Sequence, residues 1–173
     1  MLSYLPRKRG FKVAALNVRD LSKHIDQIRV LLASNPIDVL ALNETWLSQL
    51  VSDNDVYIPG YELIRRDRGF PGADGETYGG VCFYVRSSIN FTLRSDLSRE
   101  QLENLCIEIH KPNSKPFLIV TWYRPPDSTV DKFDIFETLI GKLDSENIEY
   151  HLSVDLNCNV SAPVFDHSTR VLT

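Results

Sequence analysis

The sequence predicts an α/β fold in a single domain, and three observations support this prediction. Short apolar runs of strand length alternate with segments whose apolar residues recur at helical spacing. The length of 173 residues fits one domain of ordinary size. The composition, with 43% hydrophobic and 24% charged residues, is that of a globular protein. Together these observations argue against a disordered tail, a fibre or a coiled coil.

The first unit predicted along the chain is a strand, a helix and a second strand. Residues 12–16 form one short apolar run, and residues 37–42 form another. Between them, apolar residues recur at the spacing of a helix at Leu21, Ile25, Ile28, Leu31 and Leu32. Asp20 or Ser22 can cap the start of this helix, and Pro36 ends it. Continuous apolar strands joined by a helix indicate a βαβ unit with parallel strands.

The same order of elements returns near the end of the sequence. Residues 117–122 form a strand-length run, Pro125 and Pro126 indicate a turn, and residues 148–154 form the next strand. The apolar face of the intervening helix consists of Phe133, Phe136, Leu139, Ile140 and Leu143. We therefore expect a second βαβ unit.

The segment between the two units shows a period of two, which is typical of antiparallel strands. In residues 81–85 the odd-numbered side chains point one way and the even-numbered ones the other, and residues 105–109 repeat this pattern. The glycine-rich residues 69–80 are predicted to include an exposed loop.

Polar residues stand where the four helix-flanking strands end. They are Asn17, Asn43 and Glu44, Tyr123 and Arg124, and Asp155 and Asn157. Ligands of open α/β sheets bind at the carboxyl ends of the strands, so parallel strands of one sheet would bring these groups to one edge. The plainer alternative is that strand ends are polar because loops begin there. That alternative explains less well a set with two carboxylates, three amides and a phenol.

The charge is close to balanced overall but unevenly distributed. The chain has 19 basic and 23 acidic residues, a net charge of −4, so its total charge does not indicate a simple electrostatic grip on nucleic acid. Basic residues are concentrated in residues 7–12 and 65–68. These two clusters could be solvent-exposed surface or a local contact with phosphate. For Arg65 and Arg66 a solvated strand end is the simpler interpretation.

The sequence also gives expectations about compartment. No apolar run approaches the roughly 18 residues of a membrane-spanning helix, so no membrane partner is expected. The basic residues follow the short apolar start instead of preceding a longer apolar stretch, so a secretory signal is not predicted. Three cysteines without metal-type spacing indicate a reducing compartment. We therefore expect an intracellular protein that is not secreted, with the nucleus as one option.

Five segments in succession resemble motifs of the endonuclease/exonuclease/phosphatase superfamily. They are LNVRDL at residues 16–21, LNETWL at 42–47, YGGVCFYVR at 78–86, WYRPP at 122–126 and VDLNCN at 154–159. The chain most resembles the endonucleases of non-LTR (LINE-type) retrotransposons. This resemblance implies a DNase I-like fold, a four-layer α/β sandwich of two packed mixed sheets. It also implies Mg²⁺-dependent hydrolysis of phosphate esters, with Mn²⁺ able to substitute, and the DNA backbone as partner.

The resemblance implies a role for each residue of the candidate site. Glu44 would be the metal carboxylate, with Asn17 beside it, close to metal or phosphate. Tyr123 would hydrogen-bond a phosphate oxygen, Asp155 would orient or deprotonate the attacking water, and Asn157 would help hold the transition state. These residue types suit the chemistry because Mg²⁺ keeps several waters and needs few protein ligands. Amide and phenol donors stabilise developing charge, and a carboxylate can accept a proton.

The chain also departs from the family pattern. Residues 153–155 read Ser-Val-Asp where the family commonly has a Gly-Asp pair. The family's closing Ser-Asp-His motif has no clear counterpart, and Asp166-His167 follows Asp155 too closely to replace it. We therefore expect a basic lead-in over residues 1–11 and a domain over residues 12–173 that lacks its final strands. Activity is expected to be weak or absent, as in a fragment or degraded copy of a retroelement.

Three functions stay open at this stage. The first is a DNA-nicking endonuclease, and the second is a phosphatase or phosphodiesterase of the same fold. The third is a non-catalytic retroelement remnant. For Asp155 and Asn157, a simple Asx-type turn is the plain structural alternative to a role in catalysis.

Overall fold

The computed structural model describes residues 10–68 and 78–158. Most of the basic lead-in, most of the glycine-rich loop, and Asp166 and His167 lie outside these residues. The described elements, in chain order, are β1 (Val13–Asn17), α1 (Leu21–Ser34), β2 (Val39–Asn43), β3 (Tyr61–Arg66), β4 (Val81–Arg86), β5 (Asn90–Leu93), a short 3₁₀ turn (Ser95–Leu97), β6 (Glu103–His110), β7 (Phe117–Tyr123), α2 (Asp131–Ser145) and β8 (Glu149–Asp155).

The strands form two four-stranded mixed sheets. Their orders are β1-β2-β4-β3 and β5-β6-β7-β8. The two pairs that enclose a helix, β1 with β2 and β7 with β8, are parallel, and the other pairs are antiparallel. Both predicted βαβ units are therefore confirmed.

The expectation that the parallel strands share one sheet is wrong. The second edge of β2 is taken by the antiparallel strand β4, and the second edge of β7 is taken by β6. The backbone groups of the two parallel pairs are thus satisfied within separate sheets. The carboxyl ends of the four strands still meet, because the sheets pack face to face.

Three apolar clusters define four layers. One lies between α1 and the first sheet and contains the even-numbered residues of β2 and β4. The second lies between the sheets and contains their odd-numbered residues, which confirms the predicted alternation in residues 81–85. The third lies between the second sheet and α2 and includes Trp122, which stacks on Phe136 at 4.0 Å between ring centroids. The molecule is the helix–sheet–sheet–helix sandwich that the resemblance implied.

Local sequence explains where α1 begins and ends. The Asp20 side chain caps its start by accepting a hydrogen bond from the backbone of Lys23. The chain leaves the helix at Asn35, immediately before Pro36, and the Asn35 side chain donates to the carbonyl of Leu31. The predicted face is buried at Leu21, Ile25, Ile28 and Leu32.

The expected solvated strand end at Arg65 is wrong. Its side chain is only 14% exposed and pairs with the carboxylates of Asp53 and Asp67. The same guanidinium donates to the carbonyls of Ser48 and Val51. Arg65 therefore anchors the loop that follows β2, because one planar group can donate to several acceptors at once.

Two further features of the described residues concern the cysteines and the length of the helices. Cys82 and Cys106 are unbridged and buried, and burial raises the pKa of the Cys106 thiol to about 12. Within the described ranges, no helix is long and apolar enough to cross a membrane.

Candidate active site

Hydrogen bonds of the Asn17 side chain join three parts of the chain that are far apart in the sequence. It is the last residue of β1, and its side-chain nitrogen donates to Glu44 Oε1 at 2.9 Å and to Asp155 Oδ2 at 2.9 Å. In the two parallel pairs, Asn17 lies opposite Asn43, and Tyr123 lies opposite Asp155. The strand ends thus bring the predicted residues to one place.

Glu44 follows β2 in a conformation that its neighbours impose. Its φ of 54° lies in the left-handed region, which is costly for a residue with a side chain. The Glu44 carbonyl accepts a hydrogen bond from the Asp20 nitrogen at 3.0 Å, and the nitrogen of Thr45 donates to the Gly80 carbonyl at 3.3 Å. The Glu44 residue is 9% exposed. These bonds hold its carboxylate in a fixed direction.

Two glycines immediately before β4 make this conformation possible. Gly79 and Gly80 both have positive φ, at 86° and 81°. A Cβ added to Gly80 would lie 2.6 Å from the hydroxyl of Thr45, which is fully buried. The YGG motif therefore allows the backbone around Glu44 to approach β4 closely. The sequence showed the motif but not this role.

Tyr123 presents a protonated hydroxyl to the site. It is the last residue of β7, is 4% exposed and lies close to the Glu44 carboxylate. Burial, followed by the nearby carboxylates of Glu44 and Glu103, raises the pKa of Tyr123 well above its usual value. The hydroxyl is therefore a hydrogen-bond donor across the physiological pH range.

Asp155 and Asn157 form the turn that follows β8. Asp155 Oδ1 accepts a hydrogen bond from the Asn157 backbone nitrogen at 3.2 Å, so the Asx-type turn exists. The other oxygen of the same carboxylate bonds to Asn17. The Asn157 side-chain nitrogen donates to the Arg124 carbonyl at 2.8 Å. Asn157 thus lies next to the hydrogen-bonded group of Asn17, Glu44 and Asp155, and its own side-chain amide donates to a backbone carbonyl.

Two nearby side chains were not expected at the site, and a third, the predicted strand-end residue Asn43, has a role that was not expected. The Arg19 Nε lies 3.8 Å from Glu44 Oε2, and the Arg19 side chain is 78% exposed. Glu103 accepts hydrogen bonds from the Gly80 nitrogen and from Arg68 Nε, both at 2.7 Å. Asn43 accepts one from the Thr121 hydroxyl at 2.9 Å and joins the two sheets below the site. A polar residue at an inward position of an apolar strand was the available signal for Asn43.

The donor set fits a hard divalent cation that keeps much of its water. Glu44 can supply a carboxylate oxygen and Asn17 an amide oxygen, which are ligand types that Mg²⁺ accepts. In the described part of the chain, no three His, Cys, Asp or Glu residues cluster closely enough to hold a metal. A site in which two carboxylates hydrogen-bond to one side-chain amide suits an ion that takes only one or two protein carboxylates.

Comparison with known proteins gives a family and a fold. The profile of the Endonuclease/Exonuclease/phosphatase family matches residues 11–163. No curated protein matches the sequence.

Several solved structures are similar in fold at low identity. The endonuclease domain of TRAS1, a telomere-specific non-LTR retrotransposon, has a TM-score of 0.62 and 10% identity over 94% of this chain and 68% of its own. AP endonuclease LMAP from Leishmania major has a TM-score of 0.64 and 20% identity over 85% of this chain and 55% of its own. The 3′ phosphatase NExo from Neisseria, bound to product DNA hairpin, has a TM-score of 0.53 and 22% identity over 86% of this chain and 58% of its own.

These likenesses confirm the DNase I-like sandwich. The chain spans 55% to 68% of the length of the three structures.

Proposed function

The chain belongs to the Endonuclease/Exonuclease/phosphatase family, and on that premise we propose that it is a Mg²⁺-dependent phosphodiester hydrolase domain that nicks DNA. The observation that carries this proposal is the Asn17 amide bonded to both Glu44 and Asp155, with the Tyr123 side chain close to Glu44. A carboxylate pair and a protonated phenol at one point suit the binding and hydrolysis of a phosphate ester. A nuclear location would follow from a DNA substrate.

Glu44 and Asn17 are the residues that would hold the metal, and Mn²⁺ could take the place of Mg²⁺. When bound, the ion would neutralise charge on the phosphoryl oxygens. The Tyr123 hydroxyl would donate a hydrogen bond to a phosphate oxygen. Asp155, held by Asn17 on one oxygen and by the Asn157 backbone on the other, would accept a proton from the attacking water.

Asn157 would help hold the transition state through one amide hydrogen. Its side-chain nitrogen carries two hydrogens, and the bond to Arg124 uses one of them. The second is the one that could reach a phosphoryl oxygen.

The openings beside the site favour a polymeric substrate. One cavity is lined by Tyr123 and by side chains of both charges, with Arg66, Arg68 and Lys132 among the basic ones and Asp67, Glu100 and Glu103 among the acidic ones. Another, on the side of β1 and β8, is lined by Asn17 and Asp155 among others. A backbone could therefore pass across the carboxylates, with a phosphate on either side of the scissile one.

We propose that the activity of this chain is low. Among the described residues, no histidine contacts the site: His24 and His110 bond to nearby side chains, and His151 packs on Phe117. His167 lies outside the described residues. A missing positioned acid or base costs about 10²–10⁴ in rate.

Nicking of supercoiled plasmid in the presence of Mg²⁺ tests the proposal. We expect slow nicking by the wild-type chain, none by Glu44→Gln, and wild-type rates for Glu62→Gln, which alters an exposed carboxylate on β3. Mg²⁺ should also raise the melting temperature of the wild type but not of Glu44→Gln, because only a bound ion stabilises the folded state.

Three other outcomes would overturn the proposal. Equal nicking by the wild type and Glu44→Gln would show that the activity is a contaminant, and absence of both nicking and Mg²⁺ stabilisation would indicate a non-catalytic remnant. Hydrolysis of a soluble phosphate monoester without DNA nicking would favour a phosphatase of the same fold.

A further inference from the structure

Arg124 connects the two strand ends that carry Tyr123 and Asp155. Its backbone nitrogen donates to the Asp155 carbonyl at 2.9 Å, and its carbonyl accepts the Asn157 side chain at 2.8 Å. Its guanidinium donates to the Leu156 carbonyl at 3.3 Å and to the Ser128 carbonyl at 2.6 Å. One residue thus contacts each member of the turn at residues 155–157.

The way Arg124 is buried is costly. The residue is 4% exposed, and no carboxylate of the described residues lies within ion-pair distance of its guanidinium. Its charge lies 4.8 Å from the Phe133 ring centroid, and within the described ranges its Nε has no hydrogen-bond partner. Burying a charge without a counter-ion is unfavourable, and such a cost calls for an explanation beyond packing.

We propose that Arg124 is a positioning residue that fixes the turn at residues 155–157 and thereby aims the Asp155 carboxylate. This inference rests on the role proposed for Asp155 as the acceptor of the water proton. Asn17 holds that carboxylate from the first sheet. Arg124 holds the backbone that carries it, so the carboxylate is fixed from two directions.

Arginine suits this position because of its shape. The planar guanidinium donates to two carbonyls while its face packs on Phe133. A lysine would keep the charge but offers a single nitrogen on a flexible stem, which cannot reproduce both bonds with the ring contact. Arg124→Lys is therefore expected to release the turn.

Arg86 provides a matched control in the same molecule. Its guanidinium lies 5.5 Å from the Tyr61 ring centroid and donates to the Ile37 carbonyl at 2.8 Å. Because β4 runs antiparallel to β2, Arg86 lies at the end of the first sheet opposite to Glu44. Arg86→Lys should lose a comparable set of contacts without touching the site.

The first test measures geometry without requiring activity. Backbone amide hydrogen exchange, followed by NMR on the full chain, should be at least about tenfold faster at residues 124 and 157 in Arg124→Lys. These amides bond to Asp155 in the wild type. Arg86→Lys should leave both rates unchanged. If the exchange rates of Arg124→Lys match those of the wild type, the positioning role is wrong.

The second test separates positioning from general stability. Under conditions where all variants are folded, Arg124→Lys should lower kcat for nicking about 10²-fold with little change in KM, since small misplacement of a reacting group costs that much. Equal kcat values for Arg124→Lys and the wild type would overturn the inference even if exchange had changed. If the wild type itself does not nick DNA, the proposed function fails, and the exchange result alone decides whether Arg124 holds the turn.

A milder variant covers the case in which Arg124→Lys does not fold. Phe133→Leu removes the ring beneath the guanidinium but keeps an apolar side chain at this buried position. We expect the same change in exchange at residues 124 and 157, to a smaller extent. No change there would contradict the inference.

Discussion

The candidate site joins two unlike regions, the central strands β2 and β7 and the edge strands β1 and β8. Glu44 and Tyr123 extend from the central strands, which are almost wholly buried. Asn17 and Asp155 end the edge strands, where several apolar side chains are 37% to 43% exposed, namely Val13, Leu16, Leu152 and Val154.

The difference shows that one half of the site is held by packing and the other by hydrogen bonds. The ends of β2 and β7 are fixed by apolar layers on both faces. The ends of β1 and β8 depend on the Asn17 amide and on the turn at residues 155–157. A typical hydrogen bond adds only about 1 kcal/mol net, so the edge half should yield first when the site is perturbed.

The largest expected effect is in the central region. Trp122→Ala should lower the free energy of unfolding by about 3–5 kcal/mol, because it removes a fully buried ring stacked on Phe136. Leu152→Ala on the edge strand should cost less than about 1 kcal/mol, since that side chain is 41% exposed. Urea unfolding of both variants measures the difference. Similar losses would mean that the two regions are packed alike.

A smaller effect is expected where the central region shapes Glu44. Gly80→Ala should destabilise the fold by about 3 kcal/mol, the sum of a left-handed alanine and displacement of the Thr45 hydroxyl. Gly60 has nearly the same φ, 80°, but a Cβ there would meet nothing within 4 Å. Gly60→Ala should therefore cost only about 1 kcal/mol. Thermal unfolding compares them, and equal costs would show that the approach to Thr45 is not tight.

The smallest effect tests the edge region through charge. Asn17→Asp would put a third carboxylate against Glu44 and Asp155, which should raise the pKa of one or more of the three in the folded state. The resulting destabilisation, about 1–2 kcal/mol at pH 7, should be lost as the pH falls and the extra proton binds.

Measuring the free energy of unfolding from pH 4 to pH 8 checks this sign. Asn113→Asp, in the exposed turn that follows β6, is the control and should show no such loss of stability at neutral pH. A penalty for Asn17→Asp that stays constant with pH would exclude charge repulsion as its cause.

Much of the fold follows from local pattern, and the failures have a common cause. The apolar runs predicted both βαβ units, and Asp20 and Pro36 marked the limits of α1. β3 was not predicted beyond its end at Arg65 and Arg66, because the charged residues Glu62 and Arg65 interrupt the alternation that marks a half-buried strand. The period of two is visible only where one face of a strand is uniformly buried.

The site was predictable to the extent that it lies at strand ends. That principle, together with the family resemblance, gave Asn17, Glu44, Tyr123 and Asp155, which the structure brings together. The bonds of Glu103 to Gly80 and of Arg124 to the turn could not be foreseen. They join elements whose proximity depends on strand pairing and sheet packing, and local sequence pattern does not specify these.

The bond between Asn43 and Thr121 limits how the sheets can slide over each other. Both residues are buried, and their hydrogen bond of 2.9 Å crosses from one sheet to the other just below the site. If one sheet slid by one residue relative to the other, an amide oxygen and a hydroxyl would be left without hydrogen-bond partners in an apolar layer. Each unpaired group would cost about 1–3 kcal/mol. The hydrogen-bonded pair therefore opposes movement of one sheet relative to the other and keeps Glu44 and Tyr123 in a constant relative position.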